Sequence, residues 1–180
     1  MKKSIWLIIT ILCLNLHHLH AQTPVGIGST IAPIIVKNTE NQAKPIPFVG
    51  EKVLAIFYTD PDVKDINDQL SNAIKAKNFP AAKYQGIGIG NCADTWIPDA
   101  LIRMKAKQKQ EQFPGSVVLL DTDHVLSKAW GLRETNETGV FIIIGRDRKV
   151  KFISTVRKPE ESKALIKEAL KVLEEEINKF

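Results

Sequence analysis

Cysteine is almost absent: the 180 residues contain two, Cys13 and Cys92. They cannot form a Cys-x-x-Cys pair, so dithiol exchange within one motif is excluded. Histidine is nearly as scarce. Of the 4 histidines, His17, His18 and His20 crowd into the N-terminus, and only His124 lies beyond. One imidazole and one thiol cannot supply the four nitrogen or sulfur ligands of a structural zinc site. The longest apolar run, Ile5–Leu16, is about 12 residues, short of the roughly 20 that span a bilayer. The charge is mildly basic, +5 from 25 lysines and arginines against 20 aspartates and glutamates. That bias is too small to indicate nucleic acid. No internal repeat and no linker divides the chain.

What is present begins with an export pattern. Lys2 and Lys3 form a basic start, Ile5–Leu16 an apolar stretch, and Ala21-Gln22 a small-residue cleavage junction. The pattern predicts a signal peptide over residues 1–21, cut after Ala21, and a periplasmic or secreted protein without a stable membrane anchor. Leu12 occupies the position where a lipidated Cys13 would need a small residue, so lipidation is not expected. Residues 22–180 have the length of one domain with an adequate core. Without Lys2 and Lys3 they carry 23 basic and 20 acidic residues, a formal +3.

Periodicity predicts alternating strands and helices. Ile31–Val36 reads as a short edge strand, since Pro33 lacks the N–H of a central strand, and Asn38–Pro47 reads as a loop. Val53–Tyr58 is a continuous β-branched and aromatic run, expected to be buried on both faces. The spacing Val63, Ile66, Leu70, Ala73, Ile74 predicts a helix ended by Asn78-Phe79-Pro80. Tyr84–Gly90 predicts a strand rich in glycine. Ile97–Gln112 predicts a helix opened by Asp94 or Thr95, with Pro98 in its first turn. Val117–Leu120 is a buried strand, and Val125–Trp130 a short helix closed by Gly131. Val140–Ile144 and Val150–Thr155 form a hairpin, and a last amphipathic helix starts near Pro159. The order βαβαβ-hairpin-α predicts an α/β fold: a mixed sheet covered by helices on both faces, with an extra N-terminal strand.

Chemistry-bearing residues are few. Asp60, Asp62 and Asp65 sit in the turn after Val53–Thr59, with Asp68 one turn later; helix capping accounts for them, and they lack the ligand set of a calcium loop. Asn91, Cys92 and Asp94 follow a strand expected to run parallel to Val53–Tyr58, which puts them on the same sheet edge, the usual ligand edge of α/β sheets. Cys92 reads either as a reactive thiol or as a small buried residue whose pKa the nearby aspartates raise. Asp121-Thr122-Asp123-His124 reads as a turn whose side chains bond its own backbone. The run Arg103–Gln110 reads as a solvated helix face, and Trp96 and Trp130 as core or groove walls.

Three stretches resemble the thioredoxin-like superfamily: Ala55-Ile56-Phe57-Tyr58 with its loop, Leu119–Leu132 with Ala129-Trp130-Gly131-Leu132, and Thr138–Asp147. Phe79-Pro80-Ala81-Ala82-Lys83-Tyr84-Gln85, then Asn91, Asp94 and Pro98, are similar to the middle section of exported YtfJ-like proteins, which are thioredoxin-fold chains lacking the redox motif. The resemblance implies a periplasmic location. It places Asp62 and Asp65 near the missing cysteines, and Thr138 at the position of the cis-proline, where a trans peptide is expected. The expected binding groove comprises Asp60, Asp62, Asp65, Asn91, Cys92, Asp94 and Thr138. The expected function is a binding or accessory module without thiol–disulfide exchange, with no metal, no cofactor and no catalytic residue; its partner is an envelope protein or small ligand. The alternative is a single-cysteine thiol peroxidase or reductase acting through Cys92.

Overall fold

The computed structural model describes residues 23–179. The expected leader and its cleavage junction, with Cys13, His17, His18 and His20, lie outside the described residues. The strands are β1 (Ile35–Lys37), β2 (Ala43–Pro45), β3 (Val53–Thr59), β4 (Tyr84–Asn91), β5 (Val117–Asp121), β6 (Gly139–Ile144) and β7 (Val150–Val156). The helices are α1 (Asp68–Ala76), α2 (Asp99–Gln112), α3 (Val125–Trp130) and α4 (Pro159–Ile177). One sheet runs in the order β2-β1-β5-β4-β3-β6-β7. β3, β4 and β5 are parallel through α1 and α2, and β6 and β7 add antiparallel strands.

Strand alternation divides the core in two. On one face, Leu54, Ile56, Ile87, Ile89 and Leu119 pack under Leu126 and Trp130 of α3. That helix is short, so the N-terminal segment completes the cover with Ile31, Ile34 and Ile46. On the other face, Ala55, Phe141 and Ile143 pack under Leu70 and Ile74 of α1 and Ala169 and Leu173 of α4. The Ser162 hydroxyl of α4 accepts the Leu70 amide at 3.2 Å, locking the two helices together. Facing the same side, β4 offers Tyr84 at its start and then only Gly86, Gly88 and Gly90. Beyond that row, Ala106 of α2 covers Leu120 and Cys92.

Three expectations are corrected. Ile31–Val36 is not an edge strand: β1 starts at Ile35 and is flanked by both β5 and β2. Pro33 precedes it, where no ladder bond is lost. Asn38–Pro47 is not wholly loop, because Asn38 Oδ1 accepts the Glu40 and Gln42 amides and turns the chain back into β2. Every residue of β2 is exposed, so hydrophobic periodicity carries no trace of it. The first helix does not start at Val63. A 3-10 turn spans Pro61–Val63, and three-residue bonds from Ile66 to Val63 and from Asp68 to Asp65 carry the chain to α1. An apolar spacing of three serves such turns as well as it serves an α-helix.

Gly139 marks the tightest approach between sheet and loop. A Cβ there would stand 2.3 Å from Asn67 Nδ2 and 3.0 Å from Ile66 Cγ2. Gly139→Ala should therefore cost about 2 kcal/mol through overpacking, read as a lower urea midpoint. Gly88→Ala, whose Cβ meets nothing closer than the Val117 carbonyl at 4.0 Å, should leave the midpoint unchanged or raise it by the equivalent of about 0.5 kcal/mol.

Candidate functional site

Three polar side chains end the parallel strands on the face covered by α3: Asp60 just past β3, Asn91 closing β4 and Asp121 closing β5. Their exposures are 0%, 0% and 1%, and Asn91 and Asp121 are register partners. Buried this deeply, each needs internal partners. Asp60 Oδ1 accepts the Asp62 amide at 2.9 Å, its Oδ2 accepts the Glu137 amide at 2.7 Å, and its own N–H donates to the Thr138 carbonyl at 3.0 Å. The connection into β6 is thereby fixed to the end of β3.

Asn91 Nδ2 donates to Asp94 Oδ2 at 2.6 Å and to the Thr135 carbonyl at 3.1 Å. The Thr135 hydroxyl donates to the same Asp94 oxygen at 3.0 Å. Asp121 caps α3: Oδ1 accepts the Val125 amide at 2.7 Å, while Oδ2 accepts those of Leu126 and Ser127 at 3.1 and 3.2 Å. Oδ2 also accepts the Tyr58 hydroxyl at 3.1 Å. Burial, reinforced by the Asp121 carboxylate, pushes the Tyr58 phenol well up, so it remains a donor. His124 adopts a left-handed φ of 57°, and its Nε2 lies 3.2 Å from Asp94 Oδ1. Its Nδ1 is 3.4 Å from the Ser127 hydroxyl. One imidazole thus links the start of α3 to the Asn91–Asp94–Thr135 cluster.

Between α3 and residues 131–136 these bonds hold open a cleft of about 490 Å³. Asp94, His124, Ser127, Lys128, Arg133 and Thr135 line it, with Pro24 and Leu132 as apolar wall. It is broad and open to solvent, with polar groups along its walls.

Of the expected groove residues, Asp60, Asn91, Asp94 and Thr138 come together. Thr138 is buried, its hydroxyl donates to the Glu134 carbonyl at 2.8 Å, and its peptide bond is trans. Asp62 is exposed; its amide donates to Asp60 Oδ1, and its side chain accepts the Thr95 hydroxyl at 2.9 Å. Asp65 does not belong to the cluster: it faces solvent, paired with Lys64. Cys92 is also outside it, continuing the Gly86–Gly90 parity and packing on the opposite face under α2. Trp130 is buried as expected, whereas Trp96 is 85% exposed and walls nothing. The turn reading of Asp121–His124 holds, and Tyr58, Ser127, Lys128 and the 131–136 loop are the additions. The sequence signal for them was Asp121 four residues before Val125, a cap at helical range. Among the described residues, no group of three His, Cys, Asp or Glu side chains converges as a metal site.

Burial pushes the Cys92 thiol up to about 12, with Asp99, Asp121 and Asp60 adding to it and Arg103 opposing. The direction matches expectation, but Asp99 and Asp121 take the part expected of Asp94. At pH 7 about one thiol in 10⁵ should be ionised. Iodoacetamide should alkylate folded protein far more slowly than glutathione, with a rate rising about tenfold per pH unit below that pKa and jumping on unfolding. For the cap, Asp121→Ala should cost about 3 kcal/mol, since it strips three helix amides and orphans the Tyr58 hydroxyl. Tyr58→Phe, which leaves Asp121 its amide donors, should cost about 1 kcal/mol. Both are read from denaturant midpoints.

The architecture is that of known thioredoxin-like proteins. A Chlorobium tepidum protein described as the thiol:disulfide interchange protein DsbE superposes with a TM-score of 0.55 at 16% identity, covering 83% of this chain and 99% of that one. A peroxiredoxin-like protein from Aquifex aeolicus gives 0.56 at 14% identity, covering 83% and 89%. The exposed lipoprotein thioredoxin Etrx1 of Streptococcus pneumoniae TIGR4 gives 0.52 at 11%, covering 76% and 99%. At such identities the likeness shows the fold alone. An uncharacterized protein of Haemophilus influenzae is 31% identical over 91 residues, 50% of this chain and 48% of that protein, so the match spans about half of that relative. Residues 51–176 match the model of a bacterial protein family of unknown function, YtfJ_HI0045. The chain belongs to the YtfJ_HI0045 family, on a thioredoxin-like fold.

Proposed function

We propose that this protein is an exported binding or accessory module of the bacterial periplasm, which uses a thioredoxin-like scaffold without thiol–disulfide exchange. The observation that carries the reading is the separation of its one described thiol from its cleft. Cys92 is 6% exposed, lies on the opposite face of the sheet and has its pKa pushed up to about 12. A nucleophilic cysteine needs the reverse, an accessible thiolate beside cations or free helix amides. At the end of β3, where a thioredoxin-type site would offer such amides, the Asp60 carboxylate takes the Asp62 N–H. The cleft beside α3 offers instead polar side chains over a buried polar frame, open to solvent.

Export is supported by the basic and apolar start of the sequence, and among the described residues no helix is long and apolar enough to cross a membrane. The single-cysteine peroxidase alternative requires Cys92 to meet peroxide, and its burial and raised pKa both work against that. Insulin reduction with dithiothreitol and peroxide consumption with glutathione test the reading together. The expected result is no rate above the uncatalysed reaction in either assay. Turnover that disappears in Cys92→Ser would overturn it.

A further inference from the structure

We propose that the cleft between α3 and residues 131–136 binds a small organic anion, one carrying a carboxylate or phosphate group. This deepens the binding-module reading and rests on it. Both acids on the cleft walls are already committed. Asp94 Oδ2 receives Asn91 Nδ2 and the Thr135 hydroxyl, and its Oδ1 faces His124 Nε2 at 3.2 Å. Glu134 pairs with Arg157 at 2.6 Å. The cations are not committed: among the described residues, the side chain of neither Lys128 nor Arg133 has a hydrogen-bonding or acidic partner. An anion entering the cleft therefore meets two cations without partners, beside two carboxylates whose oxygens already hold hydrogen bonds or an ion pair.

The α3 amides contribute nothing, because Asp121 occupies them. Recognition falls to side chains. Behind Asp94 and Thr135, the Asn91 amide that holds both has its Oδ1 buried with no donor. A buried acceptor left without a donor is unfavourable, and a bridging water would relieve it. Pro24 and Leu132 give a short hydrocarbon portion an apolar surface. Carboxylate and phosphate share this chemistry, as both accept from an Arg fork and a Lys point charge.

The test is a ¹⁵N NMR titration of the full chain with succinate, inorganic phosphate and the neutral diamide succinamide. It reads the His124 imidazole, assigned by its loss in His124→Gln, and the amides of Lys128, Arg133 and Thr135. Saturable shifts there with succinate or with phosphate, and none with succinamide, are expected; which anion binds identifies the group. Lys128→Ala/Arg133→Ala should weaken binding about tenfold or more, while Lys105→Ala/Lys107→Ala on α2 should not change it. Equal binding by succinamide, or an unchanged affinity in the cleft double variant, would overturn the anion assignment and leave a binding cleft standing. No shift with any of the three probes would remove both the ligand class and the cleft as the module's site.

Discussion

A carboxylate or amide buried at the end of a parallel strand must find its hydrogen bonds inside the protein, and that requirement organises one whole edge of this molecule. Asp60, Asn91 and Asp121 stand side by side at the ends of β3, β4 and β5, each essentially inaccessible. Each unmet bond at such depth costs about 1–3 kcal/mol, comparable to a large share of a domain's net stability. The loops are therefore not free to wander. Asp60 draws in residues 137 and 138, Asn91 draws in 94 and 135, and Asp121 seats α3. The cleft is the space left between elements held in this way.

The same row bears on the backbone amides at which a thioredoxin-type site stabilises a thiolate. Unpaired N–H groups at the start of a helix stabilise a thiolate because they are unpaired. Here carboxylates consume them, Asp60 in the turn after β3 and Asp121 at α3. A negative charge built into the protein occupies the place of one that would form during reaction. The one described thiol sits where burial and carboxylates both disfavour its ionisation. The frame around this arrangement is thioredoxin-like.

Much of the frame was legible in the residues. The run Val53–Tyr58, the α3 segment closed by Gly131 at a φ of 61°, the β6–β7 hairpin and α4 all follow from apolar pattern and helix-stop chemistry. β2 was not legible, because Ala43-Lys44-Pro45 buries nothing and exists only through its pairing with β1. The side of Cys92 was misjudged for a definite reason: sharing a sheet edge with Asn91 does not mean sharing a face, and one residue of strand parity reverses it. Trp96 was misjudged because a residue type's average burial says nothing about whether a given loop offers it a pocket. The cleft itself joins Pro24 to residues between Asp94 and Asn136, far apart in the sequence, and no local pattern connects them.

The way the 131–138 connection is held has a consequence for how such a protein can diversify. Asp60 and Asn91 grip it by main-chain atoms, the Glu137 N–H, the Thr138 carbonyl and the Thr135 carbonyl. Glu137 has a φ of 52°, so residue 137 must tolerate the left-handed region, but any amino acid presents the same carbonyls at 135 and 138. The shape of the loop is therefore largely independent of the side chains at Arg133 and Asn136. Drift at those positions could retune what the cleft accepts while the scaffold beneath stays intact, so chemical selectivity and foldability can evolve as separate traits.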